Sequence, residues 1–132
     1  MECPNCRART VVFDVPDEYR EHAPDEASRT ALCPECLTLT AAEDAQPAPN
    51  FEWISSAFPT DEAAAVPLAI AIGLLDSLAL NRRALQELIP AAEAAGADTL
   101  LLLDRLHVQG GVNPDFDISR RRHQLEQLLE DT

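Results

Sequence analysis

The sequence contains no lysine. All ten of its basic residues are arginine, set against 23 aspartates and glutamates, for a formal net charge of −13 over 132 residues. Such an excess of acid argues against broad phosphate binding, because a nucleic-acid footprint needs a positive surface. Aromatic residues are scarce at 5%, so the core must be built from Leu and Ala rather than rings. Long apolar runs are missing too. The longest, Ala63–Leu75, is interrupted by Pro67 and Gly73 and ends at Asp76. It falls short of the roughly 20 residues of a membrane span and suits a buried helix. The N-terminal Met1-Glu2-Cys3-Pro4 has neither a basic start nor an apolar stretch of the secretory kind. The expectation is a soluble, cytoplasmic protein with reduced thiols and no membrane partner.

What is present narrows the class. The length suits one medium domain or two small ones and excludes a multidomain enzyme. A hydrophobic fraction of 46% argues against intrinsic disorder despite the charge. Acid excess without lysine also fits molar salt, where the Debye length is about 3 Å and carboxylates cease to repel one another. A haloarchaeal, halophilic origin is therefore expected. The competing explanation is codon bias in a GC-rich mesophile.

The four cysteines form two CPxC pairs, Cys3-Pro4-Asn5-Cys6 and Cys33-Pro34-Glu35-Cys36, with 26 residues between them. Each pair can wrap a tight turn that aims two thiolates at one ion, and two turns complete the S₄ shell that zinc prefers. Cys3, Cys6, Cys33 and Cys36 are thus expected to hold one structural Zn²⁺. About 45 residues with few large apolar groups need such a staple. Other uses of the thiols fit less well. A thioredoxin-like CxxC should precede a long helix, whereas a strand-like segment follows here. Disulfides suit an oxidising compartment. Iron can occupy an S₄ site, but the aromatic packing of rubredoxin, whose spacing is loosely similar, is missing. A catalytic zinc needs an open position that four thiolates do not leave.

The segment Thr10–Val15 reads as a strand, Pro16–His22 as a short helical turn, and Thr30–Leu32 and Leu37–Leu39 as further strands. Residues 41–50, AAEDAQPAPN, read as a linker. Beyond it Asn50 caps a short helix carrying Phe51, Ile54 and Phe58, and Thr60-Asp61-Glu62 opens the next. An apolar helix over Pro67–Leu80 belongs in the centre of a bundle. A second, Arg82–Ala95, should kink or split at Pro90 and stop at Gly96. Asp98 caps a third, Thr99–Val108. The fourth, from Ser119 to Glu130, turns Ile118, Leu125, Leu128 and Leu129 toward the Leu100–Leu106 helix and the Pro67–Leu80 helix. The fold class is α+β, with a zinc ribbon over 1–46 and a helical bundle over 47–132.

These knuckles resemble a zinc ribbon. Together with VVFDVPDEYREHAP, GLLDSLALNRRAL and RRRHQLEQLLE, the chain resembles an uncharacterised haloarchaeal family of small zinc-finger proteins along nearly its whole length. The resemblance implies a zinc-ribbon head, a helical tail and the same four cysteine ligands, and no activity, because that family is a domain of unknown function. One departure stands out. The usual knuckle has Gly after its second Cys, where φ is positive; here Arg7 and Leu37 stand there, so a different knuckle geometry is expected.

Other residues read more plainly. Arg120-Arg121-Arg122 is assigned to a solvated helix face, with Asp117–Arg121 and Arg122–Glu126 as i,i+4 pairs, in preference to an anion or RNA contact. His22, His107 and His123 sit at no mutual ligand spacing and are assigned to the surface or to helix ends. Asp76 is expected to cap a helix or to pair with an Arg such as Arg82 or Arg83 at the bundle edge, and Gly110-Gly111 to stop a helix. Three functions remain. The first is a non-enzymatic zinc-ribbon adaptor with a protein partner. The second is a nucleic-acid-associated factor in transcription or translation, against which the net charge of −7 over residues 1–60 argues. The third is an enzyme, for which Asp76 is the sole support; no small-molecule substrate is identifiable.

Overall fold

The structure, a computed structural model, describes residues 2–43 and 49–130. It has a three-stranded antiparallel sheet followed by four helices, the expected α+β order. The strands β1 (Val11–Asp14), β2 (Arg29–Leu32) and β3 (Leu39–Ala41) form a meander, with Val11 opposite Leu32 and Leu32 opposite Leu39. The β-branched and aromatic run in β1 buries its first three residues. Strand β3 starts two residues later than expected, because Leu37 and Thr38 are still part of the turn made by the second cysteine pair. Between β1 and β2 lie the 3₁₀ helix Asp17–His22 and a second short turn, Pro24–Glu26.

Of the expected linker, residues 44–48 lie outside the described residues, and so does the expected domain boundary after residue 46. After it, Asn50 accepts the backbone N–H of Glu52 and opens a 3₁₀ turn, Phe51–Trp53. Helix α1 (Glu62–Leu74) is capped by the Asp61 carboxylate, and nine consecutive residues from Ala64 to Ile72 are buried. Pro67 is tolerated early in this helix. Asn81 works differently from a simple separator. Its side-chain amide donates to the carbonyls of Leu74 and Ser77, closing the end of α1, and makes no side-chain bond to the start of α2.

Helix α2 (Arg82–Ala94) runs unbroken through Pro90, which lies on its exposed side. The expected split does not occur. The ring costs one backbone hydrogen bond, and the buried stripe of Leu85, Leu88, Ile89 and Ala92 holds the helix together around it. Gly96 takes the left-handed conformation past its end, with φ of 113°. Helix α3 (Thr99–Val108) is capped by Asp98, and α4 (Ile118–Glu130) by Asp117, which accepts the Arg120 N–H. Helix α4 buries Ile118, Leu125 and Leu128 and half-buries Leu129. It packs chiefly on α3 and then on α2, rather than on the apolar helix α1, whose main partner is α2.

One core joins the strands to the helices. Val11, Phe13, Leu32 and Leu37 lie in the same buried cluster as Phe51, Phe58, Leu68, Ile72, Leu85 and Leu102. Phe51 links the two halves, its ring 5.7 Å from that of Phe13 and stacked 5.5 Å from that of Phe58. Strand and helix come close at Gly73, where a Cβ would meet the Leu39 Cβ at 2.6 Å. Glycine there lets β3 lie against α1.

Candidate metal centre

Both cysteine pairs fold into the same turn. In the first, the Arg7 N–H donates to the Cys3 carbonyl and the Cys3 N–H to the Ala8 carbonyl, both at 2.8 Å. In the second, Leu37 N–H donates to Cys33 and Cys33 N–H to Thr38, both at 3.0 Å. The register is identical in the two. Backbone amides also point at the leading sulfurs: Asn5 N–H lies 3.4 Å from Cys3 Sγ and Cys36 N–H 3.5 Å from Cys33 Sγ.

The residue closing each turn is left-handed, Arg7 at φ 67° and Leu37 at φ 57°. The expected change of knuckle geometry is therefore corrected: both turns keep positive φ without glycine. For Leu37 the compensation is visible. Its side chain is 2% exposed and belongs to the main core, and burying a Leu is worth roughly 1.5–3 kcal/mol against about 1–2 kcal/mol for the left-handed backbone. Arg7 is exposed and has no such gain.

The two turns bring all four thiols together. Cys3 Sγ lies 3.6 Å from Cys36 Sγ, and Cys6 Sγ lies 3.4 Å from Cys33 Sγ and 3.6 Å from Cys36 Sγ. All four sulfurs fall within 4.8 Å of one another. A tetrahedral shell with metal–sulfur bonds of about 2.3 Å has sulfur–sulfur edges of about 3.8 Å. The four thiols are unbonded to one another and match that shell to within a few tenths of an ångström at the contacts given. Cys3, Cys33 and Cys36 are buried, and only Cys6 faces outward.

The surroundings favour charge on part of the set. Burial raises the Cys36 thiol, but hydrogen bonding with Thr38, whose hydroxyl oxygen lies 3.1 Å from the sulfur, and with Asn5 outweighs it and brings the thiol down to about 6. Burial pushes the Cys33 thiol well up. A cation reverses that preference, because ligation takes the thiolate and expels the proton. The four cysteines can therefore bind one metal ion in a closed S₄ site.

The helical half reaches this centre. The Asn113 N–H, in the loop between α3 and α4, donates to the Glu35 carbonyl inside the second knuckle at 2.6 Å. In the same region the Gln109 amide donates to the Ile54 carbonyl at 2.8 Å. Arg9 lies over the ring of Trp53, 4.5 Å from its centroid, with the ring 41% exposed.

A family model matches residues 2–129. The chain belongs to DUF6276, a family of unknown function. Searches of the curated proteins and of the solved structures give no match. The DUF6276 assignment brings no activity with it, so the chemistry has to be argued from the residues.

The other residues singled out in the sequence fall elsewhere. Asp76 is exposed, and no ion pair joins it to Arg82 or Arg83 among the described residues. Instead its carbonyl accepts from the Arg121 guanidinium, which also donates to Gln124. The expected Asp117–Arg121 side-chain pair gives way to the Asp117 cap. Arg122 makes the expected contact to Glu126 and a closer one, 2.6 Å, to Asp104 on α3. The basic run is therefore only partly solvated: Arg120 is exposed, whereas Arg121 and Arg122 are half-buried links between helices. His107 and His123 are exposed, as expected. His22 is not free surface. Its ring meets Glu87 of α2, a contact across 65 residues that no local spacing could reveal. No helix is long and apolar enough to cross a membrane among the described residues.

Proposed function

We propose that the chain is a zinc-binding, non-enzymatic adaptor of the cytoplasm, a zinc ribbon fused to a helical body that docks a protein partner, from a halophilic archaeon. The observation that carries this reading is the convergence of Cys3, Cys6, Cys33 and Cys36 into a closed four-sulfur set. Four thiolates select zinc over hard cations, and a filled tetrahedral shell leaves no position for a reacting water. The ion is then structural. A cleft of about 550 Å³ between the 3₁₀ helix and α1 is lined by Asp14, Tyr19, Arg20 and Glu62 and by none of the cysteines. Its carboxylates are exposed and Asp14 pairs with Arg29, which gives it no converging catalytic set.

The second reading is a nucleic-acid-associated factor. Arg9 stacked on exposed Trp53 favours it, since aromatic and arginine side chains serve single strands. The net charge of −7 over residues 1–60 opposes it. Two measurements test the primary reading. Metal analysis of protein purified without added metal should give one zinc per chain, and a Cys33→Ser variant should give none. Affinity purification at native salt should recover a protein and no nucleic acid. Metal-free protein that folds as stably as the zinc-loaded form would remove the structural role.

A further inference from the structure

A second group of metal-ligating atoms lies apart from the cysteines. Glu21 and His22 end the 3₁₀ helix Asp17–His22, and Glu87 sits in the middle of α2. His22 Nε2 lies 2.8 Å from Glu87 Oε2 and 3.7 Å from Glu21 Oε1, and the three ligand atoms all fall within 4.8 Å of one another. The imidazole is held in place: its side chain is only 11% exposed, against 70% for Glu21 and 48% for Glu87. This is more than an acidic patch. One nitrogen and two carboxylate oxygens, from two elements far apart in sequence, already converge on one point.

We infer that Glu21, His22 and Glu87 form a second cation site, for a borderline divalent metal such as Mn²⁺ or Zn²⁺. The donor set decides the class. Imidazole suits the later first-row metals and carboxylates the harder ones. Two carboxylates balance the charge of a divalent ion, and three protein ligands leave the remaining positions to water. The ion takes the place of the direct His22–Glu87 contact, with the imidazole turning its lone pair to the metal. Arg83 Nε, 3.7 Å from the other Glu87 oxygen, is the competing cation. Its side chain is 94% exposed and free to swing away. The long-range field helps, since the net charge of −13 concentrates divalent cations at the surface. An ion here clamps the segment between β1 and β2 onto α2, at a point distinct from the cysteine centre.

The test uses the full chain, loaded first with one equivalent of zinc to fill the thiolates. Mn²⁺ is then the probe, because it is the weakest competitor for a sulfur site. Electron paramagnetic resonance should show one Mn²⁺ per chain bound more tightly than the diffuse remainder. His22→Ala and Glu87→Gln should each weaken that step by at least about tenfold, while Glu93→Gln, elsewhere on α2, leaves it unchanged. Mn²⁺ should also broaden the His22 ring resonances before those of His107 and His123. Should His22→Ala fail to fold, Glu21→Gln at the exposed ligand gives the same comparison. Binding that is diffuse, or equally tight in Glu21→Gln and Glu87→Gln, overturns the site and leaves His22–Glu87 as an ion pair.

Discussion

Arg7 and Leu37 occupy the same place in two turns with the same backbone hydrogen bonds, yet they face opposite surroundings. Both are held at positive φ, where a side chain costs about 1–2 kcal/mol. Leu37 more than recovers this by burial in the core; Arg7, exposed, recovers nothing comparable. Glycine substitutions should therefore move stability in opposite directions. Arg7→Gly relieves the backbone and should raise the melting temperature by a few degrees, since about 1 kcal/mol shifts a domain of this size by roughly 2–8 °C. Leu37→Gly relieves the same strain but empties a core position, and should lower it. Thermal melts of the zinc-loaded variants check both; a fall in both would mean that the left-handed turn is not strained. That the four cysteines meet was legible in the sequence, because a CPxC turn is local and its chemistry lies in four residues. That both turns keep their shape without glycine was not, because the compensation for Leu37 comes from residues far along the chain.

Helix positions and caps follow from local signals, and most were legible: Asn50, Asp61 and Asp98 each cap as their side chains suggest. What the sequence conceals is which faces meet. Helix α4 carries a readable stripe at Ile118, Leu125 and Leu128, and of the two partners expected for it α3 receives it, whereas α1 packs chiefly on α2. Pro90 misleads for a related reason, because the cost of one lost hydrogen bond is set against burial that only the assembled bundle supplies. Arg122 carries this to the interface between α3 and α4. Its link to Asp104 is partly screened, so Arg122→Gln should cost up to about 1 kcal/mol, and Arg120→Gln close to nothing. A Leu125→Ala, Leu128→Ala pair should cost several times more, at about 2–5 kcal/mol for each leucine. Gly73 gives the sharpest element-level prediction. A methyl group there overlaps Leu39, so Gly73→Ala should destabilise the protein even though alanine is the better helix former by about 1 kcal/mol. Urea titrations rank the four variants; a stabilised Gly73→Ala would show that β3 does not press on α1.

At the scale of the whole molecule, two forces with different ranges act on one core. A metal held by the four cysteines, as proposed, would act at short range. Because Val11, Leu32 and Leu37 share their cluster with the helices, and Asn113 bonds into the second knuckle, chelation should lower the melting temperature of the helical signal as well as loosening residues 2–43. Acid should act in the same direction. Ligation requires thiolates, so the stability contributed by the proposed metal should be present at neutral pH and be lost as protons compete for the sulfurs. Charge acts at long range. With −13 on 132 residues, repulsion among carboxylates opposes the compact state at low ionic strength. It weakens as the Debye length falls from about 10 Å at 0.1 M salt to about 3 Å at 1 M. Ion pairs that salt would also weaken, such as the partly buried Arg122–Asp104 and the exposed Arg29–Asp14, contribute at most about 1 kcal/mol each. Repulsion should therefore dominate, and stability should rise with salt. Melting the zinc-loaded chain in KCl between about 0.1 M and about 2 M reads the sign directly, and repeating it in tetramethylammonium chloride separates screening from specific cation binding. A melting temperature independent of both salts would mean that the carboxylates are spaced widely enough not to repel, and the acid excess would then reflect composition rather than adaptation to salt.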